Sequence, residues 1–494
     1  MSGAVIGLDI GSSGCRSVVT DTKGNSLGVV GEDFSTSHPA PGISYQDPEE
    51  ILQAVYNCIA RAARKAEKIE AIVLSSVFHS LLFMDSEMKP LKPLIPWMDT
   101  RAAEQAQRSF EEKWTTYANT ACPPNSSYPF AKLVWFKENE EEILKKSRWV
   151  GGIKEFVFFN LTGKMVVDNC VASGTGIFDV TRGEWDSESI KIAGIEEEQL
   201  PPTIDCLESF PLSKEIAQTL GIPAGTPVII GAGDGLLASL GVGAFGVNEI
   251  ALMIGTSAAC RTFVNKPLLD KPETCRTWCY YLTDNTWAVG TSVNNGGIVY
   301  SWFIEKIVGS LLEKNNGEQN LFDILGNKLE KRWPQYVQKE LPLFLPFILS
   351  ERGPYWDPRM KARYFDVSSD HDLVDFAQST IMGIDHLVYT MVGMIEEVAG
   401  SGKKLFATGG FSNLEVWARD LATLFGKPLL LPQNKEAVAY GACLLGLRSL
   451  GYFNSIKEIE IPEKADLIKP EENLLPHRSN EYKRFKEMLK REMG

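Results

Sequence analysis

The 494-residue sequence contains no apolar stretch that could cross a membrane and no apolar leader near its start. A membrane-spanning helix needs about 20 consecutive apolar residues. The first apolar run, residues 4–10, is short and is interrupted by Asp9. A secretory signal needs a longer uninterrupted apolar segment behind a basic start. We therefore expect no association with a membrane and a cytoplasmic location.

Basic charge is also scarce. The sequence has 50 Lys and Arg residues against 63 Asp and Glu residues, which gives a formal net charge of −13. This charge argues against nonspecific binding to nucleic acid or to anionic lipid. An anionic substrate would have to be attracted locally, by backbone amides, a bound cation and a few basic side chains.

Cysteine and histidine do not form a framework. The nine cysteines are scattered along the chain, as is typical of a reducing compartment. Cys275 and Cys279 have a loose metal-ligand spacing, but no second Cys/His pair accompanies them. We expect no zinc site.

One short pattern occurs twice. Residues 8–13 read LDIGSS and residues 252–257 read LMIGTS, and β-prone sequence follows each copy. Each copy therefore predicts a strand–turn–strand hairpin. Such a turn presents backbone N–H groups that suit a phosphate, although a lone copy could equally be an ordinary hairpin turn. The expected phosphate-binding residues are Gly11, Ser12, Ser13, Gly255, Thr256 and Ser257. Asp9 corresponds to Met253, so only the first copy carries a carboxylate that could reach a metal ion.

Two further glycine-rich loops follow apolar strands. Asp234 lies between two glycines after the strand at 228–232, where it is either part of a simple turn or a base that accepts the proton of an attacking hydroxyl. Gly409 and Gly410 end the strand at 404–408 and precede a helix start at Ser412 or Asn413. This loop is either an ordinary strand-to-helix turn or a place where a flat ring such as adenine lies on the backbone.

Periodicity predicts alternating strands and helices, which is typical of an α/β layered fold. Asp47 followed by Pro48 predicts a helix start, and 71–77 predicts a buried strand. The second half predicts helices near 297–311, 373–398, 413–425 and 436–450, and strands at 404–408 and 428–431. After Asn454 the sequence predicts a tail that ends in a short docked helix. The predicted domains are 1–244, 245–453 and the tail 454–494.

The order of these loops resembles that of the actin-like ATPase fold. That resemblance implies two ribonuclease-H-like α/β domains with a nucleotide and substrate cleft between them.

A helical segment after residue 126 resembles the first signature of the FGGY carbohydrate kinases. The matching residues are Ser127, Pro129, Lys132, Leu133, Trp135, Phe136, Glu138 and Asn139. A second signature near 362–382 fits in part. Asp366 stands where the family has glycine, and Met382 stands where an acid is usual. Within the family, segments 78–80, 97–101, 152–155, 293–299 and 350–356 resemble gluconokinases, although Phe78 departs from the usual methionine.

The resemblance implies a set of roles. Asp9 would hold Mg²⁺ through water, Asp234 would be the catalytic base, and the two turns would face the phosphates of ATP. Gly409, Gly410 and Asn413 would border adenine. The implied sugar pocket comprises His79, Trp97, Asp99 and Asn295. Asp99 and Arg101 could instead form a structural ion pair, and His79 and Trp97 could be structural groups. The family also implies a homodimer.

The expected reaction is phosphorylation of D-gluconate by ATP to give 6-phospho-D-gluconate. A xylulokinase or another ketose or polyol kinase is the alternative within the family. An actin-like nucleotide-binding protein without transfer activity is the alternative outside it. The carboxylates at positions 9 and 234 argue against an inactive protein.

Overall fold

The chain is described from a computed structural model, which covers residues 3–111, 116–309, 321–333, 339–349, 351, 353–355, 359–459, 461 and 465–493. Within the gluconokinase-like segment 350–356, Ser350, Arg352 and Trp356 lie outside the described residues. Among the described helices, none combines the length and the apolar character that a membrane crossing requires.

The strands are β1 Ala4–Ile10, β2 Gly14–Asp21, β3 Ser26–Asp33, β4 Ser37–Ala40, β5 Ile43–Tyr45, β6 Ile69–Ser76, β7 Leu82–Met84, β8 Trp149–Gly151, β9 Val167–Asp168, β10 Phe178–Asp179, β11 Glu184–Trp185, β12 Thr203–Ile204, β13 Ser209–Pro211, β14 Pro227–Gly233, β15 Glu249–Ile254, β16 Ala258–Val264, β17 Trp278–Tyr281, β18 Trp287–Val293, β19 Leu343–Leu345, β20 Arg363–Phe365, β21 Lys404–Thr408, β22 Leu429–Pro432 and β23 Ala465–Ile468. The α-helices are α1 Pro48–Ala63, α2 Ala103–Glu111, α3 Thr116–Thr120, α4 Pro129–Asn139, α5 Glu141–Lys146, α6 Ile153–Thr162, α7 Asn169–Ser173, α8 Ser187–Ala193, α9 Lys214–Leu220, α10 Asp234–Gly241, α11 Gly297–Trp302, α12 Leu321–Arg332, α13 Leu373–Ala399, α14 Glu415–Phe425, α15 Ala437–Ser449 and α16 Leu475–Met493.

The chain packs into two compact units that interleave along the sequence. The first unit comprises residues 1–246, 263–289 and 434–462, and the second comprises 247–262, 290–433 and 463–494. The predicted domains, 1–244, 245–453 and 454–494, are each one continuous stretch of sequence, whereas each packed unit combines three stretches. The predicted division therefore stays a prediction.

The first sheet has the strand order β13–β14–β6–β1–β2–β3. Strand β1 pairs antiparallel with β2 and parallel with β6, and β6 pairs parallel with β14. Side chains alternate across β1, so that Ile6 and Leu8 enter a core shared with α1 and α6, whereas Val5 enters a core shared with α10 and α15. Helices on both faces of the sheet confirm the predicted α/β layering.

The second sheet repeats this order and adds one strand. Written in the same direction as the first sheet, its strands run β23–β22–β21–β15–β16–β18–β17. Strand β15 pairs antiparallel with β16 and parallel with β21, and β22 pairs antiparallel with β23, as β14 does with β13. The predicted duplication is therefore present in the topology, with β15 and β16 in the places of β1 and β2. The two-domain α/β fold is confirmed.

Most predicted elements are present with small shifts. Helix α1 begins after Asp47, whose carboxylate accepts a hydrogen bond from the Glu49 N–H. The predicted helix near 297–311 is α11 followed by a π-helical turn, Phe303–Val308. The C-terminal helix α16 is longer than predicted, and it buries Phe485 and Leu489 in the core of the second unit.

Asp366 explains one departure from the family pattern. Its φ is 57°, in the left-handed region where glycine is the usual residue. Asp is among the residues that tolerate this conformation best, and its carboxylate also lies 2.7 Å from the Arg484 guanidinium. A non-glycine residue is therefore accommodated at this position.

Candidate active site

Three parallel strands of the first sheet end at the same edge. Ile10 at the end of β1 lies opposite Ser76 at the end of β6, and Ser76 lies opposite Gly233 at the end of β14. Asp9, the loop that carries His79 and the start of α10 at Asp234 therefore meet at the carboxyl ends of these strands. In open α/β sheets this edge is where ligands bind.

Asp9 lies in an unfavourable environment for a lone carboxylate. Its burial and the nearby Asp234 carboxylate raise the pKa of Asp9 from 3.8 to about 8, and Glu436 adds to the effect. Asp9 Oδ1 is buried and has no hydrogen-bond partner within the described residues. A cation beside this oxygen would supply the missing interaction, and carboxylate oxygen is a preferred Mg²⁺ ligand.

No cluster of three or more protein ligands that could hold a metal ion occurs in the described part of the chain. Mg²⁺ commonly keeps several water ligands and uses one or two carboxylates together with substrate phosphates. The residues at this edge therefore fit an ion held mainly through water and phosphate.

The first glycine–hydroxyl turn is a tight hairpin between β1 and β2. The Gly11 N–H donates to the Gly14 carbonyl over an N···O distance of 2.9 Å. Ser12 is partly exposed and Ser13 is exposed. Trp97 Nε1–H donates to the Ser12 hydroxyl at 2.9 Å, which places a predicted pocket residue directly against the turn.

Asp234 is the first residue of α10 rather than part of a free loop. Its Oδ1 accepts a hydrogen bond from the Gly235 N–H at 2.6 Å. The preceding residue, Gly233, packs directly against the Phe78 ring. A Cβ at position 233 would lie 2.1 Å from that ring. Glycine at 233 therefore lets Phe78 pack closely under the start of the helix.

His79 follows β6 in the left-handed backbone region, with φ of 70°. Its Nδ1 lies 2.7 Å from the carbonyl oxygen of Gly174. Because a carbonyl only accepts, Nδ1 carries a proton in this contact. The ring also packs edge-on against Tyr128, with centroids 4.4 Å apart.

Asp99 is fully buried and forms the structural ion pair that the sequence left open. The Arg101 guanidinium binds both carboxylate oxygens at 2.8 Å, and the backbone N–H groups of Ser44 and Arg101 donate to the same carboxylate. Arg101 also lies over the rings of Tyr45 and Trp135. The structure thus places Asp99 in a buried ion pair, and a role for it at the sugar stays a prediction.

The second turn is also a hairpin, between β15 and β16 in the second unit, but its strands pair one residue closer, Ile254 opposite Ala258 rather than Ile10 opposite Cys15. The Gly255 N–H donates to the Ser257 carbonyl at 3.0 Å, and the Gly297 N–H at the start of α11 donates to the Gly255 carbonyl at 2.7 Å. Thr256 is exposed at the tip of the turn. The first turn of α11 therefore holds this hairpin in place through a backbone hydrogen bond.

The loop after β21 contains two glycines in contrasting surroundings. Gly409 has φ of 119°, and a Cβ there would lie 2.1 Å from the Ile254 carbonyl oxygen. A Cβ at Gly410 would meet no atom within 4 Å, so the outer face of this residue is open. A 3₁₀ turn, Gly410–Asn413, precedes α14, and Asn413 is exposed.

Asn295 is buried in the second unit, and both its side-chain nitrogen and its side-chain oxygen form hydrogen bonds there. Its amide nitrogen donates to Glu351 at 2.8 Å and to the Leu349 carbonyl at 3.0 Å, and its oxygen accepts from the Leu349 N–H. The structure brings Asn295 together with the segment around Glu351. A sugar contact by Asn295 stays a prediction.

Comparisons with known proteins identify the family. Residues 4–241 match the N-terminal domain, and residues 250–450 the C-terminal domain, of the FGGY family of carbohydrate kinases. The chain belongs to the FGGY family of carbohydrate kinases. Membership implies ATP as the phosphate donor and a carbohydrate as the acceptor.

Relatives and solved structures of the family resemble this kinase over nearly its whole length. The gluconokinase of Bacillus subtilis is 33% identical over 93% of this chain and 90% of its own, and that of Bacillus licheniformis is 33% identical over 92% and 89%. The crystal structure of gluconate kinase from Lactobacillus acidophilus matches with a TM-score of 0.91 at 27% identity, covering 100% of this chain and 99% of its own. A ligand-bound xylulose kinase from the same organism matches with a TM-score of 0.90 at 28% identity, covering 98% and 97%.

Two residues of this FGGY kinase's site had no role in the sequence interpretation. Lys132 was quoted only as part of a signature, yet its ammonium group binds the carbonyls of His79 and Pro96. Glu436 precedes α15, and its carboxylate contributes to the raised pKa of Asp9. A lysine amid apolar positions of a helix was the available signal for Lys132. Nothing in the sequence marked Glu436.

Proposed function

We propose that this kinase transfers the γ-phosphoryl group of ATP to the terminal hydroxyl of D-gluconate, giving 6-phospho-D-gluconate and ADP. The observation that carries the chemistry is the position of Asp234 at the same strand edge as Asp9 and the first turn. The two gluconokinases at 33% identity support the choice of acceptor.

Asp234 would accept the proton of the attacking hydroxyl and orient its oxygen toward the γ-phosphorus. The bond from this oxygen to phosphorus forms as the bond to the ADP oxygen breaks. Asp234 sits at the first position of a helix with its carboxylate held by the Gly235 N–H, so its direction is fixed before substrate arrives.

The phosphates of ATP would lie against the glycine–hydroxyl turns at 11–13 and 255–257, whose backbone N–H groups are the donors. Asp9 would hold Mg²⁺ through water. When bound, the ion supplies positive charge beside the β- and γ-phosphates. Gly409, Gly410 and Asn413 would border the adenine, because the open face of Gly410 leaves room for a flat ring.

His79 and Trp97 would contact the sugar directly. His79 presents an imidazole whose orientation is set by the Gly174 carbonyl, and Trp97 presents an indole fixed against Ser12. Asp99 and Asn295 are buried and hydrogen-bonded, so we assign them to the support of the pocket.

D-Xylulose is the second candidate acceptor. The structural match to xylulose kinase, with a TM-score of 0.90, equals that to gluconate kinase within 0.01. The fold alone therefore does not separate a sugar acid from a ketose.

The test is ADP release with MgATP against D-gluconate, D-xylulose, D- and L-ribulose, glycerol, erythritol and no sugar. Turnover that depends on gluconate supports the proposal. Turnover with a ketose or polyol in its place would overturn the acceptor while retaining Asp234 as the base. ATP hydrolysis at the same rate with and without each sugar would overturn the proposed transfer of phosphate to a sugar.

A further inference from the structure

Lys132 is a fully buried lysine in the first turn of α4. A buried ammonium group is stable only with close partners. Its Nζ donates to the carbonyl of His79 at 2.9 Å and to the carbonyl of Pro96 at 2.8 Å. Both acceptors lie on the predicted sugar-binding loops, since one belongs to His79 itself and the other to the residue before Trp97.

The loop at His79 needs such support. A left-handed backbone is uncommon for a residue other than glycine and is strained, so the surroundings must impose it on His79. Two hydrogen bonds are among the contacts that hold His79 in this conformation. Lys132 binds its carbonyl, and the Gly174 carbonyl binds its ring nitrogen. Without the first contact, the backbone at His79 would relax and carry the ring with it.

The charge of Lys132 is balanced by the Asp99 carboxylate, which also pairs with Arg101. Burial lowers the pKa of Lys132 to about 7, and the Asp99 carboxylate opposes that shift while Arg101 adds to it. Asp99 is fully buried, and both of its oxygens accept hydrogen bonds from Arg101. Its geometry therefore suits a counter-ion for two buried cations better than a ligand for a sugar.

We propose that Lys132 is a positioning residue, whose ammonium group ties the His79 loop to the Trp97 loop and so fixes the two walls of the sugar pocket relative to each other. In this arrangement Asp99 acts on the sugar through Lys132 and Arg101. The inference rests on the proposed function, because it takes His79 and Trp97 as the sugar contacts. It concerns the sugar and leaves the ATP-binding residues untouched.

The experiment compares Lys132→Met with Lys137→Met. Both residues are on α4, but the Lys137 ammonium group is partly exposed and binds the carbonyls of Lys191 and Ile192, away from the pocket. For Lys132→Met we expect the KM for the sugar to rise at least tenfold while the KM for ATP changes less than threefold. For Lys137→Met both constants should stay within twofold of the wild type.

A double-mutant cycle tests whether Lys132 acts through His79. We expect Lys132→Met to raise the sugar KM less in the His79→Ala background than in the wild type, because one of the two sugar contacts that Lys132 positions is already gone. If Lys132→Met does not fold, Lys132→Gln, which keeps two N–H donors at the end of the side chain, replaces it in the same cycle, with a smaller expected rise.

Three results would overturn the inference. One is a folded Lys132 variant with an unchanged sugar KM, another is an equal rise in the KM values for sugar and ATP, and the third is full additivity with His79→Ala. The assay uses whichever sugar the wild type accepts in the panel above, so a wrong acceptor does not affect it. A wild type without sugar-dependent turnover would overturn the proposed function, and the positioning role with it.

Discussion

The indole N–H of Trp97 donates a hydrogen bond to the hydroxyl of Ser12 over 2.9 Å. Ser12 belongs to the first glycine–hydroxyl turn, and Trp97 belongs to the predicted sugar pocket. The Ser12 carbonyl is in turn held by the Gln46 side chain at 2.8 Å. One hydrogen bond thus couples the residues proposed for the phosphates to a residue proposed for the sugar.

This coupling can be tested with Trp97→Phe, which keeps an aromatic ring but removes the N–H donor. A neutral hydrogen bond contributes about 1 kcal/mol, so we expect kcat/KM to fall about fivefold to tenfold for both ATP and sugar. Ser12→Ala should produce a similar loss, and the double variant should lose little more than either single one. Additive losses, or a loss confined to the sugar, would contradict the coupling. Trp287→Phe, which removes an indole N–H bonded to the Val180 carbonyl, is the matched control.

The assignment of Asp234 as the base predicts a loss of turnover without a loss of fold. Asp234→Asn keeps an oxygen that can accept from the Gly235 N–H, so the start of α10 is retained. A positioned base contributes about 10²–10⁴ in rate, and we expect kcat to fall by that factor while ATP affinity, measured by calorimetry, stays within about threefold. Asp47→Asn makes the same chemical change at the start of α1 and should leave kcat unchanged. Near-normal turnover in Asp234→Asn would remove the base assignment.

The hairpins and their duplication could be predicted from the sequence because their determinants are local. An apolar strand that runs into a glycine and two hydroxyl residues specifies a tight turn without help from distant segments, and Gly11 and Gly255 both occur in such turns. The start of α1 at Asp47 and Pro48 is equally local. Asp9 was identifiable because it is a charged residue within an apolar strand.

Other features depend on contacts between distant segments, which no local pattern specifies. The sequence left Asp99 either at the sugar or in an ion pair with Arg101; the structure shows the ion pair, and it also shows a hydrogen bond from the Ser44 backbone, 55 positions away along the chain, which no local pattern indicated. Asn295 is likewise engaged by the segment at Leu349 and Glu351. Residues 434–462 pack with the first unit although they lie in the second half of the sequence and mostly within the predicted domain 245–453. The motifs could therefore be located from the sequence, but the partners of Asp99 and Asn295 could not, because those partners come from distant segments.

The loop after β21 offers a matched pair of glycines for a stability test. Gly409→Ala would place a Cβ 2.1 Å from the Ile254 carbonyl oxygen at a φ of 119°, so the strand or the loop must move. We expect a loss of about 1–3 kcal/mol in the free energy of unfolding and weaker binding of ATP. Gly410→Ala meets no atom within 4 Å and should change the unfolding free energy by less than about 0.5 kcal/mol. Urea unfolding of both variants decides the point, and equal losses would show that the close contact at Gly409 does not constrain this loop.

Glu155 predicts a pH dependence of stability with a defined sign. Burial and the nearby Asp168 carboxylate raise the pKa of Glu155 from 4.5 to about 7. Between these two pH values the folded chain keeps a proton that the unfolded chain has released, so the contribution of Glu155 to the free energy of unfolding declines as pH rises through this window. Glu155→Gln keeps a side-chain oxygen for the Gly152 N–H, which Glu155 binds in the wild type, and it does not titrate. We therefore expect the stability of the variant relative to the wild type to increase by about 1–3 kcal/mol between pH 5 and pH 8, measured by urea unfolding at both values. A difference that stays constant, or that decreases with pH, would show that Glu155 is ionised in the folded protein throughout this range.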